Sequence, residues 1–255
     1  MNPVSDSVKA AEPPATRRPI AAVRISTVAL IGIVSAVAIP AGAAALVLSG
    51  SIDEKHSPVA VQTVAPISKV VIEDSNGSVH VGGNPAMLGV SGSADLTWHG
   101  SSRPPLRLEQ SVTNGVLTLR KVCLRGDCGG ADIDIQVPPN VAVVATTSNA
   151  GIEVHDVGGG VDLRTTNAAI SVKRLGDGDA TLTTSNGSVN AGFTGAPKKI
   201  TVSTSNAGVD ITTDGRTPYY QSVSTSNGNQ TLTNQDRYAQ HEIHVDTSNG
   251  NVTIK

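Results

Sequence analysis

A short polar phrase returns along the second half of this 255-residue chain and limits what it can fold into. It reads TTSN ending at Asn149, TTN at Asn167, TTSN at Asn186, STSN at Asn206, STSN at Asn227 and DTSN at Asn249. The intervals between these asparagines are 18, 19, 20, 21 and 22 residues. Two positions before them stand Thr147, Thr165, Thr184, Thr204, Thr225 and Thr247, and four before them Ala145, Leu163, Leu182, Val202, Val223 and Val245. Three positions after them are Ile152, Ile170, Val189, Val209, Gln230 and Val252. Five after are Val154, Val172, Ala191, Ile211, Leu232 and Ile254, and the residue that follows each asparagine is Gly or Ala.

This is period-2 alternation on both sides of a small-residue corner, so each copy predicts two short strands and a bend. One copy buries too thin an apolar set to fold alone; stacked copies share a core. The expected fold is all-β: a β-solenoid of about 20 residues per repeat, most simply a right-handed parallel β-helix. Composition agrees. With one Trp, one Phe and three Tyr, the core must be built from Val, Ile and Leu in similar layers. The asparagines are expected inside the corner, where each amide bonds those of the rungs above and below, and the threonines are expected to form a second internal ladder. Both are read as structural ladders rather than ligand contacts.

The organisation along the chain follows from composition. Residues 1–24 are polar and Pro-rich and carry Arg17, Arg18 and Arg24, and read as a disordered cytoplasmic tail. No charged residue occurs from Ile25 to Ile52, long enough to cross a bilayer. Residues 25–50 are therefore a transmembrane anchor or a signal sequence, with Ala41-Gly42-Ala43 and Ala43-Ala44-Ala45 as cleavage alternatives. Arginines before the segment and Asp53 and Glu54 after it place everything downstream outside the cell. The expected location is the cell membrane, single-pass, with secretion after cleavage as the alternative. Residues 51–66 read as a linker and 67–255 as an extracellular repeat domain, with 67–140 a degenerate capping half and 141–255 regular rungs. In the first half, Asp74 breaks the repeat template at Ile72–Val81.

The run ADIDIQVPPNVAVVATTSNAGIEVHDVGGGVDLRTTNAAISV resembles the bacterial putative-adhesin family of Ser-Asn-Gly β-repeat domains. The resemblance covers roughly residues 67–255 and rests on the VPPN segment and the TSNG turns. It implies an exported or membrane-anchored β-repeat body and brings no catalytic residues with it.

Cys123 and Cys128 are the chain's two cysteines and are expected to form a disulfide, as befits an exported protein. In a hairpin closed by that bond, simple counting sets Leu119 opposite Asp132 and mixes core with surface, so one extra residue at Gly129-Gly130 is expected to set Leu119 opposite Ile133. The loop between the cysteines would display Arg125, Gly126 and Asp127, a tripeptide common by chance. Glu153 and Asp210 fall three rungs apart, too far for a carboxylate pair, and Asp132 with Asp134 has no evident partner. His241 and His244 lack zinc-protease spacing, and Asp177 and Asp179 read as a solvated turn. Tyr219, Tyr220 and Tyr238 are the aromatic candidates for a sugar platform or an end cap. A net charge of −2 without basic runs excludes a nucleic-acid surface, and no metal or cofactor is implied.

The function expected from these features is a non-catalytic, adhesin-like surface protein acting on the cell envelope or extracellular surfaces, with polysaccharide or protein as partner. A β-helical enzyme acting on envelope polysaccharide and an envelope-sensing scaffold are the alternatives. The final strand, NVTIK, is expected to form an open edge and to support weak homo-association.

Overall fold

Alternating apolar residues build strands in every repeat. The computed structural model describes residues 54–100, 106–124 and 128–255. The expectations for residues 1–24, the apolar segment 25–50 and the Arg125–Asp127 loop lie outside the described residues. Contacts divide the chain into units Met1–Leu48 and Ser49–Lys255, and every described residue belongs to the second. No helix long and apolar enough to cross a membrane occurs among the described residues.

The strands are β1 (Glu54–Thr63), β2 (Lys69–Glu73), β3 (Val79–Gly83), β4 (Val90–His99), β5 (Leu106–Thr113), β6 (Val116–Cys123) and β7 (Ala131–Val137). Twelve shorter ones follow: β8 (Ala142–Thr146), β9 (Ile152–His155), β10 (Val161–Arg164), β11 (Ile170–Leu175), β12 (Ala180–Thr183) and β13 (Val189–Phe193). The last are β14 (Lys199–Ser203), β15 (Val209–Thr212), β16 (Tyr219–Thr225), β17 (Gln230–Leu232), β18 (His241–Thr247) and β19 (Val252–Ile254). They form two sheets, ordered β1-β4-β7-β3-β9-β11-β13-β15-β19-β17 and β16-β18-β14-β12-β10-β8-β2-β6-β5. Each repeat contributes one strand to each sheet, with the Asn corner between them.

The core lies between the sheets in straight files. Val70, Val143, Val161, Ala180, Ile200 and Ile243 are neighbours in register across one sheet, and all are buried. Val79, Ile152, Ile170, Val189, Val209 and Val252 face them from the other. Each Val and Ile side chain in these files contributes about 1.5–3 kcal/mol by leaving water.

The asparagine ladder is present but lies on the outside of the corner. Nδ2 of Asn149 donates to Oδ1 of Asn76 at 2.8 Å, and Asn167, Asn186 and Asn206 continue the same bond at 2.7–2.9 Å. Asn249 then donates to Asn206, and Asn227 to Asn249, both at 2.9 Å. All six asparagines of the repeat are exposed. The backbone explains why. The peptide N–H groups of Ser148 and Asn149 both donate to the Ser75 carbonyl, and those of Thr166 and Asn167 both donate to Ser148. The chain turns sharply where two successive N–H groups point along the stack, so strand alternation ends at the threonine and the asparagine swings out. The threonines are the internal ladder: Thr147, Thr165, Thr184, Thr204 and Thr247 are buried, and Thr225 is half-buried in the end rung. Thr165, Thr184, Thr204, Thr247 and Thr225 each donate to the carbonyl of the residue after the neighbouring rung's asparagine.

Spatial order departs from chain order at both ends. The rung of Asn76 sits inside the stack, between β8/β9 and β6/β7, so residues 67–140 are more than a cap. The rung of Asn249 lies between those of Asn206 and Asn227, so β19 is flanked by β15 and β17. The strand expected at the open edge is therefore interior, and the edge is β16 and β17. That edge is blunted by polar groups. Gln221 stands in register with Ile243 and Gln230 with Val252, both at otherwise apolar positions. Gln221 Nε2 donates to the Thr233 carbonyl at 2.6 Å, and Gln235 Nε2 donates to the Gln221 carbonyl at 3.2 Å. The peptide N–H of Asp236 donates to the Tyr219 carbonyl at 2.9 Å.

Two further expectations are corrected. Residues read as linker form β1, an edge strand paired antiparallel with β4 from Glu54 to Thr63. Its Pro58 suits an edge, where a missing N–H is harmless. β6 and β7 are not a hairpin: Leu119 pairs with Ile72 and Gln110, and Ile133 with Val79 and Ala94, in different sheets. The two cysteines close the passage from one sheet to the other, a route that counting along one strand pair cannot reveal.

Replacing an interior ladder residue tests this arrangement. In Asn186→Asp, the ionised carboxylate loses the donor to Asn167 and sets oxygen against oxygen. Its protonated form restores a donor, so its folded-state pKa is raised above the unfolded value of about 4. We expect a loss of about 0.5–1.5 kcal/mol at pH 7 relative to Asn, the net value of one hydrogen bond at an exposed position. The loss shrinks as pH falls through the raised folded-state pKa and is smallest below the unfolded value, as urea unfolding at pH 7 and pH 3 will measure.

Candidate functional site: the charged face of the ten-stranded sheet

The outward side of the larger sheet is polar because every second residue of its strands points to water. One region of it departs from regular strand geometry. Between β11 and β13 the register runs Val172↔Ala191 and then Leu175↔Phe193, so β11 carries one extra residue. Arg174 in this bulge adopts φ 53°, and Asp156 at the end of β9 adopts φ 59°. Left-handed backbone is rare for residues other than glycine, and a bulge re-aims the side chain it carries.

The two re-aimed side chains meet. Arg174 Nε and Nη2 donate to the two oxygens of Asp156 at 2.6 and 2.5 Å, and His155 Nδ1 lies 2.8 Å from Asp156 Oδ2. The Arg174 guanidinium, then His155, holds the Asp156 carboxyl down at about 2. Beside this cluster Lys173 Nζ donates to Glu153 Oε1 at 2.6 Å, and His80 Nδ1 lies 3.8 Å from Glu153 Oε2. The Lys173 hydrogen bond holds Glu153 below the usual carboxylate range. These six residues form a charge-paired band across β3, β9 and β11. Next to it, Ala191 and Gly192 floor a depression of about 350 Å³ bordered by Lys173, Arg174, Asn190 and Asp210.

The sequence reading singled out Glu153 alone from this band. A signal for the rest was present, since His155 and Lys173 occupy the second outward position of adjacent repeats. The extra residue in β11 was not visible, because the asparagine intervals lengthen steadily from 18 to 22 and one added residue does not stand out among them.

The remaining candidates have structural roles. Glu153, Ser171, Asn190 and Asp210 are successive neighbours in register, which puts the two acids about 14 Å apart at three strand spacings. Asp132 accepts from the Ser78 peptide N–H and hydroxyl at 2.8 and 2.6 Å. Asp177 and Asp179 accept from the peptide N–H groups of Ala196 and Lys199 in the next rung. His241 lies 2.9 Å from the Pro197 carbonyl, and His244 pairs with Glu242 at 3.0 Å. Tyr219 is core, not platform: it is fully buried, and burial pushes its hydroxyl up to about 12. Tyr220 and Tyr238 are exposed. Among the described residues, no group of three His, Cys, Asp or Glu is placed to hold a metal ion.

Asp74, the one template break in its rung, is explained by burial. Its side chain is 0% exposed and that of Lys121 7%, with Nζ 3.0 Å from Oδ1. Asp74 Oδ2 accepts from the Gly77 and Ala131 peptides at 2.5 and 3.2 Å. Lys121 also donates to Ser75 Oγ and to the Gly129 carbonyl, both at 2.6 Å. Cys123 and Cys128 are disulfide-bonded beside this knot. The ion pair replaces the Thr-to-carbonyl bond where the stack meets its antiparallel end.

The Toastrack DUF4097 family pattern matches residues 44–255. This chain belongs to that family. No curated protein matches it in sequence. Two solved structures are similar: one described as a putative cell adhesion protein from Clostridium sporogenes, the other as a putative adhesin from Bacteroides fragilis. The first is 11% identical over 80% of this chain and 99% of that one, with TM-score 0.47. The second is 12% identical over 80% and 98%, with TM-score 0.37.

Two substitutions probe these clusters. Lys121→Met leaves Asp74 buried without its cation and should cost about 3–5 kcal/mol in urea unfolding, with Asp74→Asn in addition recovering part of it. Asp156→Asn keeps a residue that tolerates left-handed backbone and removes the charge. The Asp156 carboxyl is depressed in the folded state, so its contribution is present above about pH 4 and is lost as pH falls towards 2. A third of the carboxylate is open to solvent. The stability gap between wild type and Asp156→Asn should therefore be below about 1 kcal/mol at pH 7 and close on acidification.

Proposed function

We propose that this Toastrack protein is a non-catalytic surface-binding module, exported and either held to the membrane by residues 25–50 or released, that engages the cell envelope or extracellular surfaces. The observation that carries the reading is the charge-paired band of His80, Glu153, His155, Asp156, Lys173 and Arg174 on the outward sheet face. Its side chains are fixed by one another on a two-sheet body, so little freedom remains to be lost on binding. It borders a shallow depression rather than an enclosed cavity, a shape suited to an extended polymer or a protein surface. The disulfide between Cys123 and Cys128 accords with an oxidising compartment.

The test uses the full chain in detergent or as secreted. Wild type and a Lys173→Ala/Arg174→Ala variant are incubated with isolated cell walls, with wall and capsular polysaccharides as competitors, and the supernatant is assayed for freed sugar. Retention by wild type that falls at least fivefold in the variant is the expected result. Retention unchanged in the variant would move the surface away from this band. Sugar release would replace the binding reading by an enzymatic one.

A further inference from the structure

We propose that residues 219–255 form a two-rung cassette that a second copy of this chain can accept in place of its own, giving a reciprocally exchanged dimer. The inference is independent of the surface-binding reading and rests on the order of the last rungs. The chain leaves β15, passes over the adjacent position in the stack, lays down β16 and β17, and returns to fill the gap with β18 and β19. β16 and β17 therefore pair with no strand of the body. They pair only with β18 and β19, from Tyr219↔His241 to Thr225↔Thr247 and from Gln230↔Val252 to Leu232↔Ile254.

The junction with the body is the shorter one. β14 covers β18 only from Glu242 to Asp246, and β15 covers β19 from Val252 to Ile254. Four bonds at the corner complete it: the Ser248 and Asn249 peptides donate to the Ser205 carbonyl at 3.2 and 3.0 Å, Thr247 Oγ1 to the Ala207 carbonyl at 3.2 Å, and Asn249 Nδ2 to Asn206 Oδ1 at 2.9 Å. On the far side, the Thr213 peptide and hydroxyl donate to the Lys255 carbonyl at 2.8 and 2.9 Å. In the nine-stranded sheet the pairing inside the cassette runs from Tyr219 to Thr225 and that with the body only from Lys199 to Ser203, while in the ten-stranded sheet the two are equal in length.

One connection, residues 213–218, joins the two parts, and it must step across two strand spacings, about 9–10 Å. It is closed by its own side chain: Asp214 Oδ1 accepts from the peptides of Arg216 and Thr217 at 3.2 and 3.0 Å, and Oδ2 from the Thr217 hydroxyl at 2.9 Å. Gly215 provides the left-handed residue at φ 71°. Straightened, six residues span about 20 Å, enough to leave one body for another. Every bond the cassette makes with its own β14 and β15 it can make with those of a partner, so the exchange closes with two-fold symmetry. Concentration during folding then sets the balance of the two forms.

The experiment uses two full-length copies of different tag size, one carrying Thr201→Cys and the other His244→Cys. These positions are register neighbours on the outer face of β14 and β18. The copies are unfolded together without reductant, refolded at high concentration, treated with a short non-reducible thiol crosslinker and analysed under reducing conditions, which removes species joined by disulfide exchange. A crosslinked species of mixed size is expected after refolding and not when folded copies are simply mixed. A mixed species absent after refolding, or equally abundant without unfolding, would overturn the proposal.

Discussion

The regular rungs of this body depend on one hydrogen-bonding arrangement, the corner at which two successive peptide N–H groups donate to a single carbonyl of a neighbouring rung. A strand can share its N–H and C=O groups with both neighbours only if the register is kept at each end. The Thr-Ser-Asn corner fixes that register. The threonine hydroxyl bonds inward and the asparagine amide bonds outward, on either side of the doubly used carbonyl. Once these three are in place, the apolar files of Val, Ile and Leu fall into line without further instruction. That is why a core almost free of aromatic residues packs well, and why rungs of 18 and 22 residues stack together.

The ends show what the corner does not provide. A stack of parallel strands leaves a row of unpaired backbone groups at each end, and the two ends are closed by different chemistry. At one, antiparallel strands with Pro58 and charged side chains cover the sheets, and the Asp74–Lys121 pair replaces the usual threonine bond. At the other, the amides of Gln221 and Gln235 bond backbone carbonyls of the last rung, and Gln230 takes an otherwise apolar position in register with Val252. Amides satisfy an open edge without adding a charge that would repel the core beneath them. The same end carries the rung inserted out of order, so the edge and the exchangeable cassette are two aspects of one topology.

The Arg174–Asp156 pair of the charged band on the larger sheet arises from a single extra residue. The bulge in β11 leaves the buried positions Val172 and Leu175 in the core and turns Arg174 sideways to Asp156. A solenoid can accept such local changes because each rung touches only its neighbours. Variation in the outward residues thus changes the surface while the ladders keep the body unchanged.

How much was legible follows from the range of the interactions. The repeat, the all-β class, the files of inward residues, both ladders and the disulfide are local or strictly periodic, so spacing alone disclosed them. The side on which the asparagine lies was misjudged, because alternation was carried one residue past the point where the corner breaks it. The hairpin expected around the cysteines failed because strands close in sequence joined different sheets. Nor could spacing show that Asn76 heads the ladder from inside the stack, that the last rung lies between two earlier ones, or that Arg174 reaches Asp156. Identical rungs fit any slot equally well by sequence. Only the lengths of the connections, the closure of the ends and the buried Asp74–Lys121 pair decide which slot each takes, and those are properties of the assembled fold.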